Sequence, residues 1–135
     1  MKIIKLSEPL IDKKEISAIT KVLKSGWLTS GKLTQLFESN VSNFLKSKNV
    51  IATNSCTNGL YATLKALNFK PGDEVITSPF TFISTINTIH QLGLKIKFAD
   101  INLDNFNIDV EQLKKKVTKR TKCILITHYG GIPCD

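Results

Sequence analysis

Val50-Ile51-Ala52-Thr53-Asn54-Ser55-Cys56-Thr57-Asn58-Gly59 reads as a short apolar strand, a polar turn and the immediate start of a helix. Small hydroxyl and amide side chains fall where that helix leaves its first backbone N–H groups without partners. Those free donors, and the partial positive charge of a helix N-terminus, make an anion cup suited above all to phosphate. Ser and Thr also cap ordinary helices, so simple capping is the competing reading. The place of the turn, beyond the carboxyl end of a buried strand, is where α/β sheets put their ligands and favours a site.

The same alternation continues along the chain. Strand 50–53 leads to a helix at 57–67, and Pro71-Gly72-Asp73 makes the return turn. Strand 74–78 leads to a helix at 83–92, strand 95–99 follows Gly93, a short helix covers 110–117, and strand 123–127 comes last. Strands and helices alternating at this spacing predict parallel βαβ units, an α/β fold with helices flanking a mostly parallel sheet. Two helices precede them. Asp12 caps the first, which carries Ile16, Ile19, Val22 and Leu23 at helical spacing and stops at Gly26. The second, 33–45, sets Leu33, Leu36, Phe37, Val41, Phe44 and Leu45 on one broad face. No internal repeat, low-complexity tract or interdomain linker interrupts the chain. Its end, Thr127-His128-Tyr129-Gly130-Gly131-Ile132-Pro133-Cys134-Asp135, reads as the loop beyond a strand, with no following helix.

At 135 residues and 41% hydrophobic, the chain has material for one modest domain with a core. No stretch approaches the ~18 to 20 continuous apolar residues of a membrane span. The start, Met1 to Leu6, is too short and too soon charged for a secretory signal. Cys56, Cys123 and Cys134 are odd in number and lack Cys-x-x-Cys spacing. With only His90 and His128 beside them, they predict reduced thiols in a cytoplasmic protein, with no disulfide frame and no metal site. The formal net charge of +8 raises nucleic acid as a partner. Arg120 is the only arginine, however, and arginine is the preferred residue for bidentate phosphate and base recognition. The run Lys114-Lys115-Lys116, with Lys119, Arg120 and Lys122, is therefore read as a solvated helix end and loop.

Gly26-Trp27-Leu28-Thr29-Ser30-Gly31-Lys32 fits most of a phosphate-binding loop pattern. Leu33 stands where magnesium would need Ser or Thr, and a helix precedes the loop where a strand is required, so that reading fails. The loop suits substrate contact through an indole and two hydroxyls, and serves equally as a helix connector. In Ser78-Pro79-Phe80-Thr81-Phe82-Ile83-Ser84-Thr85 one aromatic is placed to stack on a planar ligand ring, against the alternative of two core phenylalanines. Asp100 lies at another carboxyl-end position, whereas Asp104 and Asp109 read as turn or cap residues. His128 is a ring contact or a polar loop residue.

In order, these segments resemble the N-terminal part of the DegT/DnrJ/EryC1/StrS family, pyridoxal phosphate (PLP) aminotransferases that aminate nucleotide-linked keto sugars. The resemblance rests on 25–31, Ser55-Cys56-Thr57-Asn58-Gly59, 72–77 with 78–82, Phe98-Ala99-Asp100-Ile101, and 128–135. It spans essentially the whole chain and implies part of the large domain of the type I PLP-transferase fold. It implies that Thr57 and Asn58 bind the pyridoxal 5'-phosphate group, with Ser55 and Cys56 shaping the cup. Phe82 would stack on the pyridine ring, and His128 matches a histidine in the loop near the cofactor. Trp27 and Thr29 fall in the loop near the nucleotide sugar. Asn58 stands where relatives commonly have a small residue, often Ala, and Cys134 where they usually have Ala.

The lysine that forms the Schiff base and the aspartate that pairs with the pyridine nitrogen lie downstream of Asp135 in the family, so no catalytic residue is assigned within 1–135. The lysine is the covalent handle, and the aspartate keeps the ring an electron sink. The resemblance thus implies the N-terminal portion of a cytoplasmic, homodimeric aminotransferase of polysaccharide biosynthesis, with glutamate as donor and no nucleic-acid or membrane partner. The small C-terminal domain and the rest of the large one lie outside it, and the portion alone is expected to be inactive. Strand 50–53 is expected to stand apart with unpaired edges while the other three strands pair, leaving 1–135 poorly folded and a weak PLP binder. Two alternatives remain: a PLP- or pyridoxamine-dependent sugar dehydratase of the same family, with His for the lysine, and a non-enzymatic basic binding module.

Overall fold

The computed structural model describes residues 3–5 and 7–135. Met1, Lys2 and Leu6, part of the start weighed above as a secretory signal, lie outside the described residues. The described chain forms two compact units, Met1–Ala52 and Thr53–Asp135.

The first unit holds helices α1 (Lys13–Ser25) and α2 (Lys32–Leu45). Asp12 caps α1 as expected. Its carboxylate accepts from the Lys14 N–H at 2.6 Å, and Glu15 reaches back to the Asp12 N–H at 2.8 Å, closing a capping box. Gly26 ends the helix in the left-handed conformation, φ 71°, which costs glycine little. The apolar residues recur at helical spacing, yet neither helix buries a residue, and Ile16, Ile19, Leu23, Leu33, Leu36 and Phe37 are all exposed.

The expected strand at 50–53 is not formed. Val50, Ile51, Ala52 and Thr53 pair with no strand among the described residues, and the Ala52 N–H is met instead by the Glu38 carboxylate at 2.8 Å. An apolar, β-branched run supplies only a preference; a strand exists when a second backbone lies about 4.8 Å away to complete the ladder.

The second unit follows the predicted alternation: α3 (Cys56–Ala66), β1 (Glu74–Thr77), α4 (Ile83–Gln91), β2 (Lys95–Phe98), α5 (Val110–Lys116), β3 (Thr121–Leu125), and a short 3-10 turn at Tyr129–Gly131. The three strands form one parallel sheet in the order β2-β1-β3. The last strand begins and ends two residues earlier than expected. Thr121 lies opposite Glu74 and Leu125 opposite Thr77, the last residue of β1, so 126–127 have no ladder partner. Asp109 caps α5 through the Gln112 N–H, as read from sequence, and Lys114, Lys115 and Lys116 fill its last turn, where cations face the free carbonyls.

Adjacent strand residues point to opposite faces, and Val75 and Ile76, both fully buried, show it. Val75 packs with Leu64 of α3, Ile89 of α4 and Leu94. Ile76 packs on the other side with Ala99 and Ile108, backed by Leu113 of α5 and Cys134. Full burial of each Val, Leu or Ile side chain here contributes roughly 1.5–3 kcal/mol. The result is a layered unit, α3 and α4 on one face and α5 with the terminal loop on the other.

Glu74 opens β1 on the Ile76 face and is 2% exposed. Its carboxylate accepts from the Thr118 hydroxyl and pairs with Lys97 Nζ at 3.1 Å and Arg120 Nε at 3.4 Å. The Thr118 hydrogen bond, helped by Lys97 and Arg120 and opposed by burial, holds the carboxyl below its ordinary range. A carboxylate whose folded-state pKa is lowered stabilises the fold above its unfolded pKa of about 4.3, and loses that contribution as pH falls through the folded value. Glu74→Gln is therefore expected to be less stable than wild type near neutrality, with the gap closing as pH drops below about 4.3. Acid-unfolding curves of the two proteins followed by circular dichroism check this.

Candidate functional site

The turn at 53–59 forms a helix N-terminus with spare donors. Ser55 is the N-cap residue, extended at φ −159°, and its Oγ accepts from the Asn58 N–H at 3.2 Å. The Gly59 N–H bonds to the Ser55 carbonyl. Among the described residues, the N–H groups of Cys56 and Thr57 meet no acceptor. These two donors, the half-buried Thr57 and the helix dipole suit a phosphate dianion. Cys56 is exposed at the rim. The Asn58 amide folds back instead, donating to Asn54 Oδ1 at 2.7 Å, so its side chain is engaged along the helix. Thr53 Oγ1 donates to the Ser55 carbonyl, and a Cβ at Gly59 would sit 3.2 Å from it. Gly59 thus lets the turn close tightly over the start of α3.

In a parallel sheet all carboxyl ends share one edge. The segments after β1, β2 and β3, which carry Phe82, Asp100 and His128, therefore begin at the same edge. Thr81 and Thr127 bridge two of them, their hydroxyls 2.9 Å apart, and Thr81 also contacts the Thr85 hydroxyl at 3.2 Å. The two phenylalanines take different roles. Phe80 packs against Tyr129 and Phe106, ring centroids 4.9 and 5.8 Å away. Phe82, at the N-cap position of α4, is 75% exposed and free to stack on a planar ring. His128 is exposed and its Nδ1 accepts from the Cys134 N–H at 3.0 Å. Asp100 accepts through Oδ1 from the N–H of its neighbour Ile101, a local turn contact.

Within the first unit, the Trp27 indole lies over Gly31, its Nε1 donating to the Ser30 carbonyl at 3.1 Å. It forms one wall of a groove of about 1280 Å³ between α1 and α2, lined also by Thr29, Lys14, Lys21 and Lys32. Thr29 thus joins Trp27 on one surface.

Among the described residues no three His, Cys, Asp or Glu side chains gather as a metal-binding group, and no helix is long and apolar enough to cross a membrane. None of the three cysteines is paired; burial pushes the Cys123 thiol up.

The model of the DegT/DnrJ/EryC1/StrS aminotransferase family matches residues 9–135. The chain belongs to this family. It is 49% identical over 129 residues to the spore coat polysaccharide biosynthesis protein SpsC of Bacillus subtilis, covering 96% of this chain and 33% of that protein. Its fold superposes with a TM-score of 0.91 on Helicobacter pylori PseC, an aminotransferase involved in the biosynthesis of pseudoaminic acid, at 34% identity, covering 99% of this chain and 36% of that one. A TM-score of 0.83 relates it to E. coli GDP-4-keto-6-deoxy-D-mannose-3-dehydratase with bound hydrated PLP, at 33% identity over 90% of this chain and 33% of the other. The chain spans about a third of the length of the curated relatives it matches.

In this DegT-family chain the bridging hydroxyls of Thr81, Thr85 and Thr127 escaped sequence reading, because nothing local pairs positions 46 residues apart. Asn107 escaped it as well: in the Asn- and Asp-rich turn 102–109 it looks like one more turn residue.

An ideal Cβ at Gly31 would meet Trp27 Nε1 at 2.3 Å. Gly31→Ala is therefore expected to lift the indole off the loop and break its bond to Ser30. Because Trp27 is the single tryptophan of the chain, the emission maximum and quencher accessibility report the displacement directly.

Proposed function

We propose that residues 1–135 are the N-terminal part of the PLP-binding large domain of an aminotransferase that moves an amino group from glutamate to a nucleotide-linked keto sugar. The observation that carries the proposal is the pair of unpartnered Cys56 and Thr57 N–H groups on a helix start, within the unit whose sheet edge presents Phe82 and His128. A phosphate and a planar aromatic ring are what such a set accepts. Family membership and the PLP-bound neighbour agree with that reading.

PLP supplies an electron sink that lets an amino group pass between two carbonyl carbons. The roles proposed for this chain are binding and orientation. Cys56 and Thr57 N–H groups and the Thr57 hydroxyl hold the phosphate, with Ser55 fixing the turn and Asn58 contributing to the helix start. The exposed Phe82 ring covers one face of the pyridine and excludes water from it. His128, its Nδ1 occupied, presents Nε2 as its remaining polar atom. Trp27 and Thr29 contact the nucleotide sugar. The complete enzyme is proposed to be a cytoplasmic homodimer, with the lysine and the ring-nitrogen aspartate supplied from beyond Asp135. A dehydratase of the same family is the second reading, favoured by the likeness to the E. coli dehydratase, and the residue at the lysine position separates the two.

In the complete protein, Thr57→Val is expected to weaken PLP binding about tenfold, equivalent to about 1.4 kcal/mol, and Phe82→Ala to shift the cofactor's absorption band. Titration of the apoprotein with PLP, followed by absorbance, measures both. Conversion of a nucleotide-linked keto sugar plus glutamate to an amino sugar plus 2-oxoglutarate completes the test. A complete protein that takes up no PLP, or ignores both substitutions, overturns the proposal.

A further inference from the structure

We propose that Asn107 is the positioning residue for His128, a buried amide that clamps the loop following β3 and fixes the orientation of the imidazole. The inference rests on the reading of His128 as a cofactor-facing residue and adds the means by which it is held.

Asn107 is 3% exposed and sits at the end of the turn after β2, beside core residue Ile108. Its Oδ1 accepts from the Tyr129 N–H at 2.8 Å, and its Nδ2 donates to the carbonyls of Ile132 at 3.0 Å and Pro133 at 3.2 Å. One side chain thus holds both ends of the 129–133 segment. The backbone of Asn107 is itself anchored, its N–H on Asn105 Oδ1 and its carbonyl accepting from the Asn102 N–H. The partners also fix the chemistry. A backbone N–H on one side and two carbonyls on the other demand one acceptor and one donor group, which an amide has and a carboxylate lacks.

The residue after the clamped segment is Cys134, whose N–H donates to His128 Nδ1 and whose Sγ contacts the Thr127 carbonyl at 3.5 Å. Its side chain packs on the Ile76, Ala99 and Ile108 cluster, so the donor is fixed to the core. With Nδ1 accepting, the neutral imidazole carries its proton on Nε2. Tyr129, next to His128, is further held by the rings of Phe80 and Phe106, centroids 4.9 and 5.7 Å away. The loops after β1, β2 and β3 therefore converge on Tyr129, next to His128, with Asn107 as the polar joint between the last two.

The test is NMR on the complete protein without cofactor, comparing wild type, Asn107→Ala and Ile108→Val. Wild type is expected to show slow exchange of the Tyr129 and Cys134 amides and His128 nitrogen shifts of the Nε2–H form. In Asn107→Ala both amides are expected to exchange at least tenfold faster and the His128 shifts to move toward those of a free imidazole, while the Ile76 amide follows global stability. Ile108→Val, a neighbouring core change, is expected to leave His128 unmoved. A second readout is the cofactor: His128→Ala and Asn107→Ala each weaken PLP, and the double variant is no weaker than His128→Ala. Unprotected Tyr129 and Cys134 amides in wild type, or a His128 ring indifferent to Asn107→Ala, overturn the inference, and the wild-type measurement stands even if Asn107→Ala does not fold. A protein that shows the NMR response yet binds no PLP overturns the functional proposal and leaves this one intact.

Discussion

Parallel pairing of β1 with β2 and β3 is the constraint on which the second unit depends. A parallel pair requires each strand to return to its starting end through a crossover, and the crossovers here are α4 after β1 and α5 after β2. Two consequences follow from that one geometry. Both faces of the sheet need cover, which explains why Val75 and Ile76 are both fully buried although they point in opposite directions. All three strand ends also open onto the same edge, so side chains from distant parts of the sequence meet there without any local signal in common.

The two edges of the sheet are treated differently. At the amino end, the buried Glu74 is fully engaged by Thr118, Lys97 and Arg120, a closed polar cluster that ties β1 to β2 and to the turn before β3. At the carboxyl end, polar and aromatic groups are held at their bases and left free at their tips. Phe80 is packed and Phe82 is not; His128 has one ring nitrogen engaged and the other open. Phe106 adds a local strain, a bulky residue at φ 60° that costs about 1–2 kcal/mol. Its ring packing against Phe80 and Tyr129 helps offset that cost. A fold that stabilises one edge and keeps groups available at the other is the arrangement a ligand site needs.

Much of this was legible in the residue order. The caps Asp12 and Asp109 and the stop at Gly26 were readable because helix ends leave specific unpaired groups that few side chains satisfy. The α/β alternation in the second unit was readable from apolar runs and turn residues, and with it the placing of the segments that carry Phe82, Asp100 and His128 after successive strands. Pairing was not. Residues 50–53 have the composition of a strand and lack a neighbour, and β3 took its limits from β1 rather than from its own apolar run. In α1 and α2 the apolar periodicity announced helices correctly but did not decide burial, since Ile16, Leu33 and Phe37 remain exposed.

Residues 50–53 aside, the sequence by itself determined the type and order of the helices and strands, the helix caps, and the small polar residues at the start of α3. All of these follow from interactions within a few residues, which a single chain segment specifies. Only the tertiary structure decided which phenylalanine is packed and which is free. It alone showed that Asn107 reaches Tyr129, Ile132 and Pro133. Those outcomes depend on contacts across 20 or more residues. The relative positions of β1, β2 and β3 set them, and no short stretch of the chain encodes that placement.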